Sequence, residues 1–316
     1  MQAEVLVDTK DITHEEWLEY RKQGIGGSDA AAAIGLGRWK SARMVWAAKT
    51  GFLDEDKDND AMRLGRDLEG YVADRFVEKR SKDTGKEIKL WNVNQILKHP
   101  EHKFMLANLD RRVLKESALL ECKTTVDHRN EWKVDSFPEY YIPQLQHYLA
   151  VTGFEKAYLA VLVLDKRWFN YYEVERDDEL IEYLIQEEKR FWEDYVLTGE
   201  MPPIEEADLN NKIIDKLYPE AKEGKIVHLD SKINELIEKR IDYKETEDKF
   251  KNLRQEVEVK IKDLLGEAEL GFYQGQQVVK WRNINSSRFD SKKFQADHSD
   301  LYKKYLYESS YRRLYL

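Results

Sequence analysis

Three residues near the middle of the chain have types and spacing that suit phosphodiester chemistry: Asp110, then Glu121 after ten intervening residues, then Lys123. Side chains alternate along a strand, so in Leu119-Leu120-Glu121-Cys122-Lys123 the carboxylate and the ammonium share one face, and Cys122 points the other way, into the core. If Asp110 and Glu121 lie on adjacent strands of a hairpin, both carboxylates reach one end of a sheet. Two carboxylates and a backbone carbonyl are hard oxygen ligands, suited to Mg²⁺ or Mn²⁺ that keep waters for a substrate phosphate. Lys123 beside them can orient and help deprotonate an attacking water, or offset charge on a pentavalent phosphate. The spacing alone equally describes an acidic hairpin with a flanking lysine, so its neighbours must decide.

Those neighbours sit on readable elements. Thr13 with Glu16 three residues on forms a capping pair, starting a helix near Thr13 that carries Trp17 and Arg21. Gly24-Ile25-Gly26-Gly27 breaks it, and Ser28 or Asp29 can cap a second helix through the run Ala30 to Ile34. Ser41 caps a third, ending at Gly51. After an acidic loop, Asp54 to Asp60, the residues Leu64, Leu68, Val72 and Phe76 recur every fourth position and place a long helix over about 61–80, with Glu69 beside the stripe. Strand patterns follow at Ile88–Leu90, Phe104–Leu109, Arg112–Leu114 and Leu119–Lys123. Pro138 and Pro143 bracket a break before a helix from Gln144 to Val151, on which Gln144 and Tyr148 share a face. Two strands, Tyr158–Leu164 and Phe169–Val174, precede a helix over Glu179–Tyr195.

The pattern predicts an α/β fold: a mixed sheet flanked by helices over residues 1–203, a charged helical arm over 204–270, and a basic, tyrosine-rich segment over 271–316. In the arm, Leu229, Ile233, Leu236, Phe250, Val257, Ile261 and Leu264 mark a long amphipathic helix, suited either to a coiled coil or to packing along the core. From Gln276 onward nine Lys/Arg stand against four Asp/Glu, in a chain whose formal net charge is -9. That net charge argues against loose, charge-driven nucleic-acid binding, yet a sum does not exclude a basic channel. With aromatics at 12% the chain is no disordered polyelectrolyte. One cysteine excludes an internal disulfide, no apolar stretch is long enough to cross a membrane, and the N-terminus lacks a signal-peptide layout, so a cytoplasmic setting is expected.

Taken in order, Trp17-x3-Arg21-x2-Gly24-Ile25-Gly26-Gly27-Ser28-Asp29-Ala30, Trp46-x2-Lys49-Thr50-Gly51, Gly65-x3-Glu69, Ala107-Asn108-Leu109-Asp110, Glu121-Cys122-Lys123-Thr124 and Tyr141-x2-Gln144-x3-Tyr148 resemble the YqaJ-type viral recombinase family. That family is similar to the lambda exonuclease within the PD-(D/E)xK nuclease superfamily. The match covers about residues 14–195, and its one departure is Leu109 where the superfamily has a leading proline.

The resemblance implies a restriction-endonuclease-like core with 5′→3′ exonuclease activity on linear duplex DNA, leaving 3′ single strands for annealing. It implies two Mg²⁺ or Mn²⁺ ions, a ring-shaped homo-oligomer (a trimer or tetramer), a single-strand annealing partner of the RecT or Red-beta kind, and a phage or prophage origin. Asp110 would bridge the metals, Glu121 and the Cys122 carbonyl would complete one shell, Glu69 would act through a water, and Lys123 would orient the nucleophile. Gln144 and Tyr148 would hold the scissile strand. Arg21 and Ser28 would form a pocket for a 5′-terminal phosphate, a role suited to a guanidinium fork and a helix N-terminus. Gly26 and Gly27 would let backbone approach it, while Arg38 and Lys40 would line the DNA channel. Two other readings stay open: an endonuclease or nickase with the same site, and an inactive module that only clamps DNA or a partner.

Overall fold

A computed structural model describes residues 3–53, 59–211, 213–307 and 311–315; most of the acidic run expected as a loop, residues 54–58, lies outside them. The chain divides into two compact units, Met1–Tyr218 and Pro219–Leu316.

In the first unit, helix α1 (His14–Arg21) follows a strand β1 (Glu4–Asp8) and starts on a full capping box. The Thr13 hydroxyl accepts from Glu16 N at 3.2 Å, and Glu16 Oε2 accepts from Thr13 N at 2.8 Å, an arrangement that stabilises a helix by about 1 kcal/mol. After the short strand β2 (Ile25–Gly26), helix α2 (Gly27–Ala33) begins two residues earlier than the sequence suggests. Its N-cap is Gly26, which makes no side-chain cap bond. Ser28 and Asp29 are therefore inside the first turn and free to point elsewhere. The early start requires glycine at 27, because a Cβ there would stand 2.4 Å from the Tyr148 ring.

Helix α3 (Ala42–Lys49) is capped by Ser41, and α4 (Asp60–Thr84) by Asn59, with Gly85 closing α4 in the left-handed region at φ 69°. Only the C-terminal part of the α4 stripe is core: Val72 and Phe76 are buried, while Leu64 is 44% exposed. The first turns of α4 instead line a cleft.

The strands β3 (Leu90–Asn92), β4 (Gln95–Lys98), β5 (Met105–Asn108), β6 (Arg111–Val113), β7 (Ala118–Thr125), β8 (Lys156–Val163) and β9 (Trp168–Glu175) form two sheets. One has the order β1-β4-β5-β2, the other β3-β6-β7-β8-β9. The mixed α/β class is as the sequence predicts; β1, β2 and β4 are additions, too short to show a period. β6 and β7 pair antiparallel, and β7 pairs parallel with β8 through helix α5 (Ile142–Thr152), whose first turn takes Pro143 without an unpaired donor.

Alternation on β7 and β8 makes three layers. Leu119, Leu159 and Val161 pack with Leu145 and Leu149 of α5 and with Ile181 of α6 (Asp178–Phe191). Leu120, Tyr158 and Ala160 pack on the opposite face with Val72 and Phe76 of α4. Burying each large side chain contributes roughly 1.5–3 kcal/mol, so the position of α5 over the sheet is firmly set. The unit runs past Pro203: Ile213 is fully buried, and Glu205 Oε2 accepts from Ala42 N at 3.3 Å.

In the second unit, helix α7 (Lys232–Leu265) has no buried residue, and a hairpin of β10 (Leu270–Tyr273) and β11 (Gln276–Lys280) follows. Among the described residues no helix is long and apolar enough to cross a membrane.

Candidate active site

Glu121 and Lys123 share a β7 face with Leu119, so both point toward α5. The crossover helix brings Gln144 and Tyr148 to them. Gln144 Nε2 donates to Glu121 Oε1 at 2.7 Å and lies 3.2 Å from the Tyr148 hydroxyl. Lys123 Nζ meets the same Oε1 at 2.7 Å. Glu121 is 4% exposed, and its Oε2 is buried with no hydrogen-bond partner.

Asp110 stands at the end of the β5–β6 turn, where its Oδ2 accepts from Cys122 N at 2.7 Å. That bond ties the two carboxylate-bearing segments together. Burial, then the nearby Glu121 and Glu69, push the Asp110 carboxyl well above the usual carboxylate range. For Lys123 burial works to lower the ammonium's pKa, but Glu121 and Asp110 outweigh it and hold it above the ordinary lysine value. Burial and then Glu121 raise the Tyr148 phenol. Cys122 packs half-buried on the α4 side, its thiol pushed up by burial and by Asp110. It is a packing residue whose backbone, not whose sulfur, faces the site chemistry.

Glu69 comes from α4 on the far side of Asp110, held at 2.5 Å by Arg111 Nη1, which also donates to the Asp110 carbonyl at 2.6 Å. Among the described residues no three His, Cys, Asp or Glu side chains are grouped as a metal shell. The donors still fit a divalent cation. A buried Glu121 oxygen without a hydrogen-bond donor, near an Asp110 carboxyl that resists ionisation, marks two acids that Lys123 alone does not neutralise. Asp110, Glu121 and the Cys122 carbonyl are the residues that would supply it with oxygens.

A cleft of about 470 Å³ joins these groups to the N-terminal residues: Arg21, Ser28, Glu69, Asp110, Lys123 and Gln144 all line it. Arg21 stacks over the Trp17 ring at 4.8 Å, and its Nη2 lies 3.5 Å from Ser28 Oγ and 3.3 Å from Asp29 Oδ2. Asp29, fully buried, also receives Lys40 Nζ at 2.6 Å and Lys49 Nζ at 2.8 Å. Burial works against ionisation of Asp29, but Lys40, Lys49 and Arg21 hold its carboxyl well below the usual range. Three cations on one carboxylate leave an electropositive corner beside Ser28.

Two expected channel residues, Arg38 and Lys40, lie outside the cleft. Arg38 is held by Glu131 through two contacts of 2.9 and 2.8 Å and packs between the Trp39 and Tyr140 rings. Lys40 is turned onto Asp29, and neither residue lines the cleft. The sequence offers Asp29 only as a helix cap and Lys49 only within a motif, gives neither a role in this corner, and does not single out Arg111. A signal is present for Lys49, the one charge late in an otherwise apolar helix turn, and for Asp29, a lone acid between Ser28 and an alanine run.

Fold and site together describe a mixed α/β protein with a carboxylate–lysine centre on the central strand, β7, of its five-stranded sheet. Residues 16–155 match the YqaJ-like viral recombinase domain. The "Uncharacterized protein YqaJ" of Bacillus subtilis (strain 168) is 38% identical over 316 residues, spanning 99% of this chain and 97% of that one. The chain belongs to the YqaJ-like viral recombinase family. Among solved structures, the alkaline exonuclease LHK-Exo from Laribacter hongkongensis is similar at 22% identity over 65% of this chain and 100% of that one, with a TM-score of 0.47. A phage related exonuclease from Haemophilus somnus 129PT is similar at 13% identity over 56% and 96%, with a TM-score of 0.38.

Proposed function

We propose that the chain is a divalent-metal-dependent deoxyribonuclease that enters linear duplex DNA at its ends and degrades one strand in the 5′→3′ direction, leaving 3′ single strands for annealing recombination. The observation that carries this reading is Glu121: one carboxylate oxygen fixed by Lys123 and Gln144, the other buried without a partner and beside Asp110. Family membership supports it.

Asp110, Glu121 and the Cys122 carbonyl would hold Mg²⁺ or Mn²⁺, with Glu69 released from Arg111 to act through a water and, with Asp110, serve a second ion. When bound, the ion supplies Lewis acidity at the phosphate and neutralises its charge. Lys123 hydrogen-bonds and orients the attacking water. Gln144 fixes the free orientation of Glu121, and Tyr148 walls the site and anchors Gln144. The Arg21 guanidinium and Ser28 hydroxyl receive a 5′-terminal phosphate, which sets the strand end at a fixed distance from the scissile bond. The support for that pocket is the cation cluster, because Asp29 already occupies the first turn of α2. On this reading the chain works as a ring-shaped homo-oligomer with a single-strand annealing partner, in the cytoplasm of a bacterial host.

An endonuclease or nickase would use the same carboxylates but has no need for the Arg21/Ser28 corner, and the test follows from that. Linear and covalently closed duplex DNA are incubated together with the protein and Mg²⁺. The reading predicts loss of the linear form alone; nicking or linearisation of the closed form would replace it with the endonuclease reading.

A further inference from the structure

One buried ion pair is not used by the chemistry described above, yet it touches three of the elements that build the site. His147 and Glu188 are both fully buried. His147 Nδ1 lies 2.9 and 3.0 Å from the two Glu188 oxygens on α6, and Nε2 lies 2.8 Å from the Leu106 carbonyl on β5. A carbonyl only accepts, so Nε2 carries a proton, and the second proton lies between Nδ1 and the carboxylate.

The ring belongs to α5, between Gln144 and Tyr148. β5 runs directly into the turn that carries Asp110. A single side chain therefore fastens the helix presenting Gln144 to the strand presenting Asp110, and braces both against α6. We propose that His147, through Glu188, is a positioning residue for this site: it fixes the height and rotation of α5 so that Gln144 and Tyr148 meet Glu121. The inference rests on the nuclease reading for its kinetic consequence but not for its structural one.

The other groups near the ring are consistent with a held proton. Burial works to lower the imidazole's pKa, but Glu188 outweighs it, and the more distant Asp29 of α2 acts in the same direction. His99 is the remaining titratable ring in reach; burial and then His102 lower it to about 4, so it is neutral and adds no competing charge. The Tyr148 ring is edge-on to His147 at 6.1 Å.

Removing one partner leaves a buried charge and risks the fold, whereas replacing both by leucine is often neutral in stability. The test therefore uses the full-length double variant His147→Leu/Glu188→Leu, with Glu188→Gln as the conservative control. A carboxamide at that position can donate to Nδ1 of a neutral ring that still donates from Nε2. On linear 5′-phosphorylated duplex with Mg²⁺, the double variant is expected to lose about a hundredfold in kcat, the scale of an ångström-sized misplacement, with KM for ends within about threefold of wild type. Glu188→Gln is expected to keep kcat within about threefold.

The Gln144 side-chain amide signal in a ¹H–¹⁵N spectrum should move in the double variant and not in Glu188→Gln. An unchanged kcat in a folded double variant, or an unmoved Gln144 signal, would overturn the proposal. If wild type cleaves nothing, the nuclease reading falls, and the Gln144 signal still decides the positioning role.

Discussion

The Gln144 carboxamide nitrogen and the Lys123 ammonium both stand 2.7 Å from the same oxygen of Glu121, Oε1. The second oxygen is buried and left without a donor. The carboxylate is held open by its neighbours, and that sets what loss of one neighbour should do. Gln144→Leu preserves the apolar contacts of α5 but frees Glu121 to rotate. Its kcat on linear duplex should fall by about 10–100-fold, with thermal stability within about 1 kcal/mol of wild type. Steady-state kinetics beside a melting curve checks both halves.

Asp110 should cost the metal-free protein stability. Its folded carboxyl is held well above the ordinary range, by burial first and then by Glu121 and Glu69. A raised folded pKa means that this group's contribution is full at low pH and is lost as pH rises through the folded value. Asp110→Asn is a neutral isostere that can still accept from Cys122 N. It should melt a few degrees above wild type at pH 8 without metal, and the difference should vanish as pH falls through the Asp110 titration. Mg²⁺ should raise the melting temperature of wild type and not of the variant. Equal melting in chelator at pH 8 would contradict the charge arrangement.

Asp29 has the opposite sign. Its carboxyl is depressed from 3.8 in spite of burial, because Lys40, Lys49 and Arg21 surround it. Its stability contribution is present above the unfolded value and is lost as pH falls through the lower folded one. Asp29→Asn would leave Lys49, 7% exposed, without its counter-charge, at a cost of about 3–5 kcal/mol at neutral pH. Denaturant titrations at pH 7 and below pH 4 should show a gap that narrows in acid. Wild-type stability at pH 7 in the variant would mean that the cluster does not hold the corner together.

What the sequence revealed, and what it hid, follows from how each contact is encoded. Period-two alternation places Glu121 and Lys123 on one face, and one helical turn separates Gln144 from Tyr148. Both relations are local, and the structure has the residues side by side. Arg38 and Glu131 are 93 residues apart, and Lys49 reaches Asp29 from another helix, so no local pattern could assign these partners. The Ser28 cap is displaced for a reason only partly local: glycine at 26 and 27 lets the backbone turn helical early, and Tyr148 of α5 fills the space a side chain at 27 would need.

The end of the first unit is another such case. Pro202-Pro203 looks like a natural boundary, yet Arg43 Nε donates to the Pro202 carbonyl at 2.7 Å and Ile213 is fully buried in the same unit. A chain ending at Tyr218 should fold and cleave linear DNA, whereas one ending at Pro203 should melt several degrees lower, having lost the burial of Ile213 at roughly 1.5–3 kcal/mol. Circular dichroism melts of both truncations, with a cleavage assay, distinguish them. Equal stability would move the boundary back to the prolines.

The central claim is that Glu121, with Asp110 and Lys123, cuts DNA from an end. Its most direct test is a time course on 5′-phosphorylated linear duplex, labelled at each end in turn, with Mg²⁺, comparing wild type with Glu121→Gln. Wild type is expected to release the 5′ label at once and the 3′ label last, while the variant, folded to the same melting curve, releases neither. Label release by Glu121→Gln at the wild-type rate, or none by wild type, would contradict it.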